Sequence, residues 1–297
     1  MQFGNLTLGT AAFGMPYGVA NPPVPVSALE VDEILDMAWG AGVQCVDTAP
    51  AYGEAERRLG EWMQKRQRRL TVISKMPSLK LIGRAVDTED ITRFVDKSCK
   101  ALGIDRVDGY LAHHAGDLQQ PGVAQAMLSL QQSGRIGAFG ASVYTVEEAE
   151  AALGIQGLRL LQVPINLIDH RFVDSGLLAR CRDAGVIVFA RSVFLQGAFF
   201  MNRANVPNAL SSLSETLTAI GNLAKKSGCG IAALAFAFVR DTPGITSSVM
   251  GVYDVQQLRE LLACRAASPL SAEIVAAIDA LALTVPDAAI DPRNWSS

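Results

Sequence analysis

Short β-rich runs alternate with longer helical stretches along the whole of this 297-residue chain, and no other feature restricts its fold so strongly. The runs are Leu6 to Leu8, Val43 to Val46, Leu70 to Ser74, Arg106 to Ala112, Ala138 to Ala141, Leu160 to Pro164, Val186 to Ala190 and Ser247 to Met250. Such alternation builds a parallel sheet from strand–helix units. Between Gly9 and Ser192 the carboxyl ends of successive runs lie 24 to 38 residues apart, while the step from Ser192 to Gly251 takes 59. That interval has room for extra helices, and 213–227 and 231–239 read as two. Eight units in one chain of this length predict an α/β fold, a single (β/α)8 TIM barrel with extra helices near its carboxyl end.

Punctuation agrees with this reading. Ser27, Thr88, Thr145 and Ser271 stand where helices should start, each followed within three residues by Asp or Glu. Gly40, Gly103, Gly134 and Gly185 fall where helices should stop. No compositional break, repeat or low-complexity segment divides the chain, so residues 1–297 are expected to form one domain.

Hydrophobic residues make up 49% and charged residues 19%, which permits a large core and argues against disorder. A net charge of −3 and a single short basic cluster, Lys65 to Arg69, speak against nucleic acid or an anionic membrane as partner. Five cysteines without paired spacing read as reduced thiols. The amino terminus shows no basic segment followed by an apolar one, so a cytoplasmic protein is expected. The longest apolar run, Ile231 to Val239, is too short to cross a bilayer and suits a helix buried against the sheet.

Four residues with useful chemistry lie at or just past the carboxyl ends of three consecutive strand runs: Asp47, Tyr52, Lys75 and His113. Singly each has an ordinary reading. An aspartate there commonly caps a turn, a tyrosine packs, a lysine is solvated and a histidine is structural. A closed barrel brings those strand ends to one rim, so the four would form one cluster. A phenol with a reference pKa near ~10 donates a proton poorly unless its anion is stabilised. Lys75 is expected to lower the Tyr52 pKa, Asp47 to hold Lys75 charged and oriented, and His113 to donate a hydrogen bond to a substrate oxygen. Such a cluster protonates a carbonyl oxygen but delivers no hydride, so a cofactor is required.

Residues 47 to 60 are similar to the Asp-Thr-Ala-x-x-Tyr-Gly-x-(Ser or Ala)-Glu-x-x-Leu-Gly motif of the aldo-keto reductases, a specific match. Asp108 to His113 resembles the family's Asp-Leu-Tyr-Leu-x-His, and Gly134 to Ser142 its Gly-Lys-Ile-Arg-x-x-Gly-Val-Ser. Gly9-Thr10, Gln162 to Asn166 and Ser192 to Gly197 also fit, so the likeness runs from about residue 5 to about residue 265. It implies an NAD(P)H-dependent reductase of aldehydes or ketones, with Asp47, Tyr52, Lys75 and His113 as catalytic tetrad and Tyr52 as general acid. It also implies that Ser142 and Gln162 hold the nicotinamide carboxamide and that the backbone and serine near Ser192 approach the pyrophosphate. Gly9, Thr10, Asp47, Gly197, Gly251 and Gln257 join the implied cofactor contacts.

Two departures bear on the cofactor. Val143 stands where the family usually has an Asn after the serine, and Gly251 and Gln257 stand where many relatives carry the Lys and Arg that grip the 2′-phosphate of NADPH. Leu261 replaces an Asn that often meets the adenine. Relatives with a similar region still bind NADPH, so NADP(H) is the expected preference, with NAD(H) possible and a small discrimination between them.

Two other functions compete. Channel β subunits of the family keep barrel and cofactor yet serve as partners, so a cofactor-sensing regulatory subunit with little turnover is the alternative. A metal-dependent hydrolase meets the obstacle that the chain has three histidines, and His113 and His114, if both on a strand, point to opposite faces. No metal site is expected. Which of the two histidines faces inward is left open by alternation alone. His114-Ala115-Gly116 in place of an aromatic favours small polyhydroxy or sugar-like carbonyls, and Trp295 is expected to pack on the barrel rather than act as a lid. Oligomeric state is not legible in the sequence.

Overall fold

The computed structural model describes residues 3–82, 86–201 and 208–295. Its eight strands are β1 (Leu6–Gly9), β2 (Cys45–Asp47), β3 (Thr71–Met76), β4 (Val107–Ala112), β5 (Ile136–Ser142), β6 (Leu160–Pro164), β7 (Ile187–Arg191) and β8 (Ser247–Gly251). They pair in parallel in sequence order, and β8 closes on β1 through Leu6↔Ser248 to Gly9↔Gly251. A right-twisted parallel sheet of this size has no edge left once closed. The expected barrel is therefore present, with each strand within two residues of its expected bounds.

The barrel interior is a small apolar cluster of Cys45, Ile73, Leu111, Ala138, Leu160 and Phe189, one residue from each of six strands. Side chains alternate along a strand, so positions two residues further on also face inward. Within the strands those positions are Asp47, Lys75, Gly140, Gln162 and Arg191, and His113 follows just past the end of β4. Beneath the mouth the barrel is apolar; at the mouth it is polar. The larger core lies between strands and surrounding helices and includes Trp62, Phe13, Phe172 and Phe236, each fully buried. The extra helices between β7 and β8 are Ser214–Lys226 and Ile231–Asp241, and Leu234 to Val239 of the second are buried. Among the described residues no helix is long and apolar enough to cross a membrane.

Local chemistry shifts some boundaries. The helix expected to start at Thr88 is capped by Asp87, whose carboxylate accepts from the Asp90 amide while the Asp90 side chain accepts from Asp87 N, a reciprocal pair. Gly40 lies inside its helix, and the left-handed turn comes at Gly42 (φ 76). Val43 is absent from β2 because its amide closes that helix end on Ala38 O. Lys75 lies within β3, which continues to Met76, and is thereby held on both sides.

Candidate active site

After β2 the chain turns through a short 3-10 helix, Pro50–Tyr52, and then a left-handed glycine, Gly53 (φ 57). A Cβ on Gly53 would lie 2.4 Å from Gly14 O, and one on Gly14 would lie 1.8 Å from Tyr52 O. Two glycines thus let the Tyr52 turn press on the loop after β1, which fixes the tyrosine backbone.

The Lys75 ammonium is the hub. It donates to Asp47 Oδ1 at 2.6 Å, to Thr48 O at 3.1 Å and to the Tyr52 hydroxyl at 3.2 Å. Lys75 is 1% and Asp47 4% exposed, so neither charge is shared with bulk water. The other Asp47 oxygen accepts from Gln162 Nε2 at 2.7 Å, and Gln162 Oε1 accepts from Ser142 Oγ at 3.3 Å. A continuous chain therefore runs from Ser142 through Gln162, Asp47 and Lys75 to Tyr52. Burial alone pushes the Lys75 pKa down, but the Asp47 carboxylate and the Tyr52 oxygen outweigh it and hold the lysine protonated.

Lys75 lowers the Tyr52 pKa as expected, but burial raises it by more, and the net direction is upward. The phenol keeps its proton in the cofactor-free protein, so Lys75 stabilises a tyrosinate without making one the resting form. His113 lies edge-on to the Tyr52 ring, with centroids 6.0 Å apart. Burial, with the Lys75 charge next, pushes its pKa down to about 3. It is a neutral imidazole near neutral pH, able to donate one hydrogen bond.

Its ring contact with Tyr52 sets His113, rather than His114, against the cluster. The opposite-faces argument does not hold, since both histidines lie past the end of β4 and their rings stack at 5.6 Å. Among the described residues no group of three His, Cys, Asp or Glu is placed to hold a metal ion.

A cleft of about 430 Å³ opens beside this cluster and brings together Ser192, Gly197, Gly251 and Gln257 with Tyr17 and Asn21. Ser192, Leu195 and Gln196 all have positive φ (59, 48 and 53), as does Gly197 (93). Three non-glycine residues in the left-handed region cost of the order of 1 kcal/mol each, and such strain gathers at ligand sites. Val19 N, from the loop after β1, donates to Gln196 O at 2.9 Å and ties the two cleft walls together. Asn166 anchors the strained loop by donating to Ser192 O. Gly9 and Gly251 face each other across β1 and β8. Neither Gly9 nor Thr10 lines this cleft; Thr10 is fully buried, and its hydroxyl donates to Asp47 O.

The sequence reading did not single out Arg191, Tyr17 and Tyr144. Arg191 continues the inward register of Phe189, a signal that alternation carried. Tyr17 and Tyr144 lie in loops, where no period announces them.

A parallel barrel with an acid, an ammonium, a phenol and an imidazole at one mouth defines an oxidoreductase of the barrel class. Residues 5–283 match the model of the Aldo/keto reductase family, and the chain belongs to that family. It is an NAD(P)H-dependent oxidoreductase that reduces aldehydes or ketones to alcohols. It is 25% identical over 268 residues to the NADH-specific methylglyoxal reductase of Escherichia coli (strain K12), covering 78% of this chain and 81% of that protein. It is 27% identical over 224 residues to a D-threo-aldose 1-dehydrogenase of Pseudomonas sp, covering 64% and 68%. The holo form of aldo-keto reductase AKR11C1 from Bacillus halodurans superposes with a TM-score of 0.75 at 18% identity, covering 95% of each chain, which speaks to the fold.

Proposed function

We propose that Tyr52 donates the proton to the carbonyl oxygen of a small substrate, with Lys75 stabilising the tyrosinate left behind. Asp47 holds Lys75, and neutral His113 donates a hydrogen bond to the oxygen as negative charge develops on it. The observation that carries this reading is the buried Asp47–Lys75 pair within 3.2 Å of the Tyr52 hydroxyl. A bound nicotinamide cofactor supplies the hydride. The residues present fit it: the cleft has the volume of a ligand site, its strained loop offers backbone donors, and Gly251 lines it without a side chain. Ser142 and Gln162, already paired at the mouth, are suited to a carboxamide, with Ser192 and Gly197 toward the pyrophosphate.

At the far end of the cleft the sequence expectation shifts. Among the described residues none that lines it is Lys or Arg, Glu260 lines it, and Gln257 accepts from Tyr253 N. Arg259 does not line the cleft and donates to Gln256. Among the described residues a 2′-phosphate would meet a carboxylate and no cation, which favours NAD(H) serving at least as well as NADP(H), against the preference expected from the sequence. Small polyhydroxy or sugar-like carbonyls suit the polar rim made by Tyr17, His114 and Tyr144. The enzyme is proposed to act as one domain in the cytoplasm, where its five free cysteines, four of them buried, would stay reduced.

Steady-state assays over a panel of short aldoses and aldehydes, with each reduced cofactor, test the reading. Sustained turnover with NADH at least equal to NADPH is expected. A single slow turnover on every carbonyl would instead mark a cofactor sensor, and an advantage for NADPH on the order of a hundredfold, ~2.7 kcal/mol, would refute the cofactor assignment.

A further inference from the structure

Glu56 occupies a specified position of the motif at residues 47–60, yet it lies outside the cluster at the barrel mouth. It stands in the first turn of the helix Ala55–Arg66 and is 5% exposed, with no Lys or Arg ion-paired to it among the described residues. Its Oε1 accepts from the Ser74 hydroxyl at 2.6 Å, a length that suits an O–H donor on a carboxylate. Ser74 is fully buried on β3, and alternation turns it toward the surrounding helices because its neighbour Lys75 points into the barrel. Burial raises the Glu56 pKa, while the Ser74 and Ser98 hydroxyls and the Lys75 charge lower it, for a net rise. A buried carboxyl is costly to leave unbonded, so the bond to Ser74 is a firm tie between helix and strand.

Two members of the cluster lie at the ends of this tie. Lys75 is the residue after Ser74, and Tyr52 lies four residues before Glu56. The Tyr52 turn itself faces solvent at Ala51, Gly53 and Glu54, so it takes its place from the elements on either side. On one side Gly14 packs against it, and Arg58 of the same helix donates to Phe13 O at 2.6 Å and to Val26 O, which binds the helix to the loop after β1. On the other side Glu56 supplies the tie to β3. The position of the turn matters because the Lys75 bond to Tyr52, at 3.2 Å, is the longest of the three that this ammonium makes. A small outward shift of the turn would break it before the other two.

We infer that Glu56 is a positioning residue for proton transfer: bonded to Ser74, it fixes the amino end of its helix on β3 and so holds the Tyr52 hydroxyl against the Lys75 ammonium. The inference deepens the proposed function and rests on Tyr52 being the proton donor. The test reads the single-turnover rate of the enzyme–cofactor complex with the panel aldehyde that wild type reduces fastest, beside the cofactor dissociation constant and the thermal midpoint. Glu56→Leu combined with Ser74→Ala removes both partners of the tie and refills the space, so the fold should survive. This double variant should melt within about 3 °C of wild type and bind cofactor within about twofold, yet lose at least about tenfold in rate. Glu56→Gln, whose amide oxygen still accepts from Ser74, should keep the rate within about threefold. In a Tyr52→Phe background the double variant should cost nothing further, because its effect passes through the missing hydroxyl. A double variant as fast as wild type, or a Glu56→Gln protein as slow as the double variant, overturns the inference. An equal loss in the Tyr52→Phe background also overturns it, since that would mark a general loosening of the site. Tyr52→Phe at the wild-type rate is a distinct result, which would strike Tyr52 as the donor and the inference with it.

Discussion

Replacing Lys75 by Met should cost stability, and the structure sets the size. Lys75 Nζ and Asp47 Oδ1 are 2.6 Å apart, with both side chains at 5% exposure or less. Removing one member of such a pair leaves a charge buried and alone, which costs about 3 to 5 kcal/mol. Asp47 keeps its bond from Gln162, so the lower figure applies. An unfolding entropy of about 2.1 cal/mol/K per residue converts ~3 kcal/mol into a fall of about 5 °C in the thermal midpoint of a chain this long. Asp47→Asn combined with Lys75→Met should be less damaging than Lys75→Met alone, since no charge is then buried. Calorimetric melts read all three proteins. A shift under about 1 °C for Lys75→Met, or a double variant that melts no higher than Lys75→Met, would refute the argument that the pair is a buried, mutually dependent unit.

His113 should make the protein sensitive to acid. Its folded pKa, about 3, is depressed below the usual ~6.5, so its contribution is fully present above about pH 6.5 and is lost as pH falls toward 3. His113→Asn should flatten the loss of stability between about pH 7 and about pH 4 by the order of 2 to 3 kcal/mol, and unchanged pH slopes would sink the assignment of a buried neutral imidazole. Trp295 donates to Ala289 O at 3.0 Å and packs against the core, so Trp295→Ala should lower stability by about 1 to 2 kcal/mol while leaving Michaelis constants for short aldehydes within about twofold. A tenfold change in those constants without loss of stability would restore the lid.

Much of this molecule was legible in the sequence because strand alternation and barrel closure are strong constraints. Once Cys45, Ile73 and Phe189 face inward, Asp47, Lys75 and Arg191 follow by parity, whereas His113 lies just past the end of β4. The meeting of Lys75 with Asp47 and Tyr52 needed only three consecutive strand ends at one rim. What the sequence left hidden depends on distance and burial. The net rise of the Tyr52 pKa is a balance between a desolvation cost and an ammonium at 3.2 Å, and no motif reports which wins. Gln162 bonding to Asp47 spans 115 residues of chain and requires the closed barrel. Tyr17 and the Arg191–Tyr144–Arg293 stack arise from loops and the carboxyl-terminal segment, whose paths follow from packing rather than periodicity. Asp87 rather than Thr88 caps its helix because two neighbouring residues can both cap, and only the backbone decides.

The central claim is that the Tyr52 hydroxyl delivers the proton. Tyr52→Phe keeps the ring, its edge-on contact with His113 and its place 4.8 Å from Lys75 Nζ, and removes the oxygen alone. The decisive measurement is the single-turnover rate of reduced-cofactor oxidation when the preformed enzyme–cofactor complex is mixed with saturating aldehyde, read beside the cofactor dissociation constant. The account predicts a rate at least ~100-fold below wild type, with cofactor affinity nearly unchanged. A Tyr52→Phe protein that turns over at the wild-type rate would contradict it.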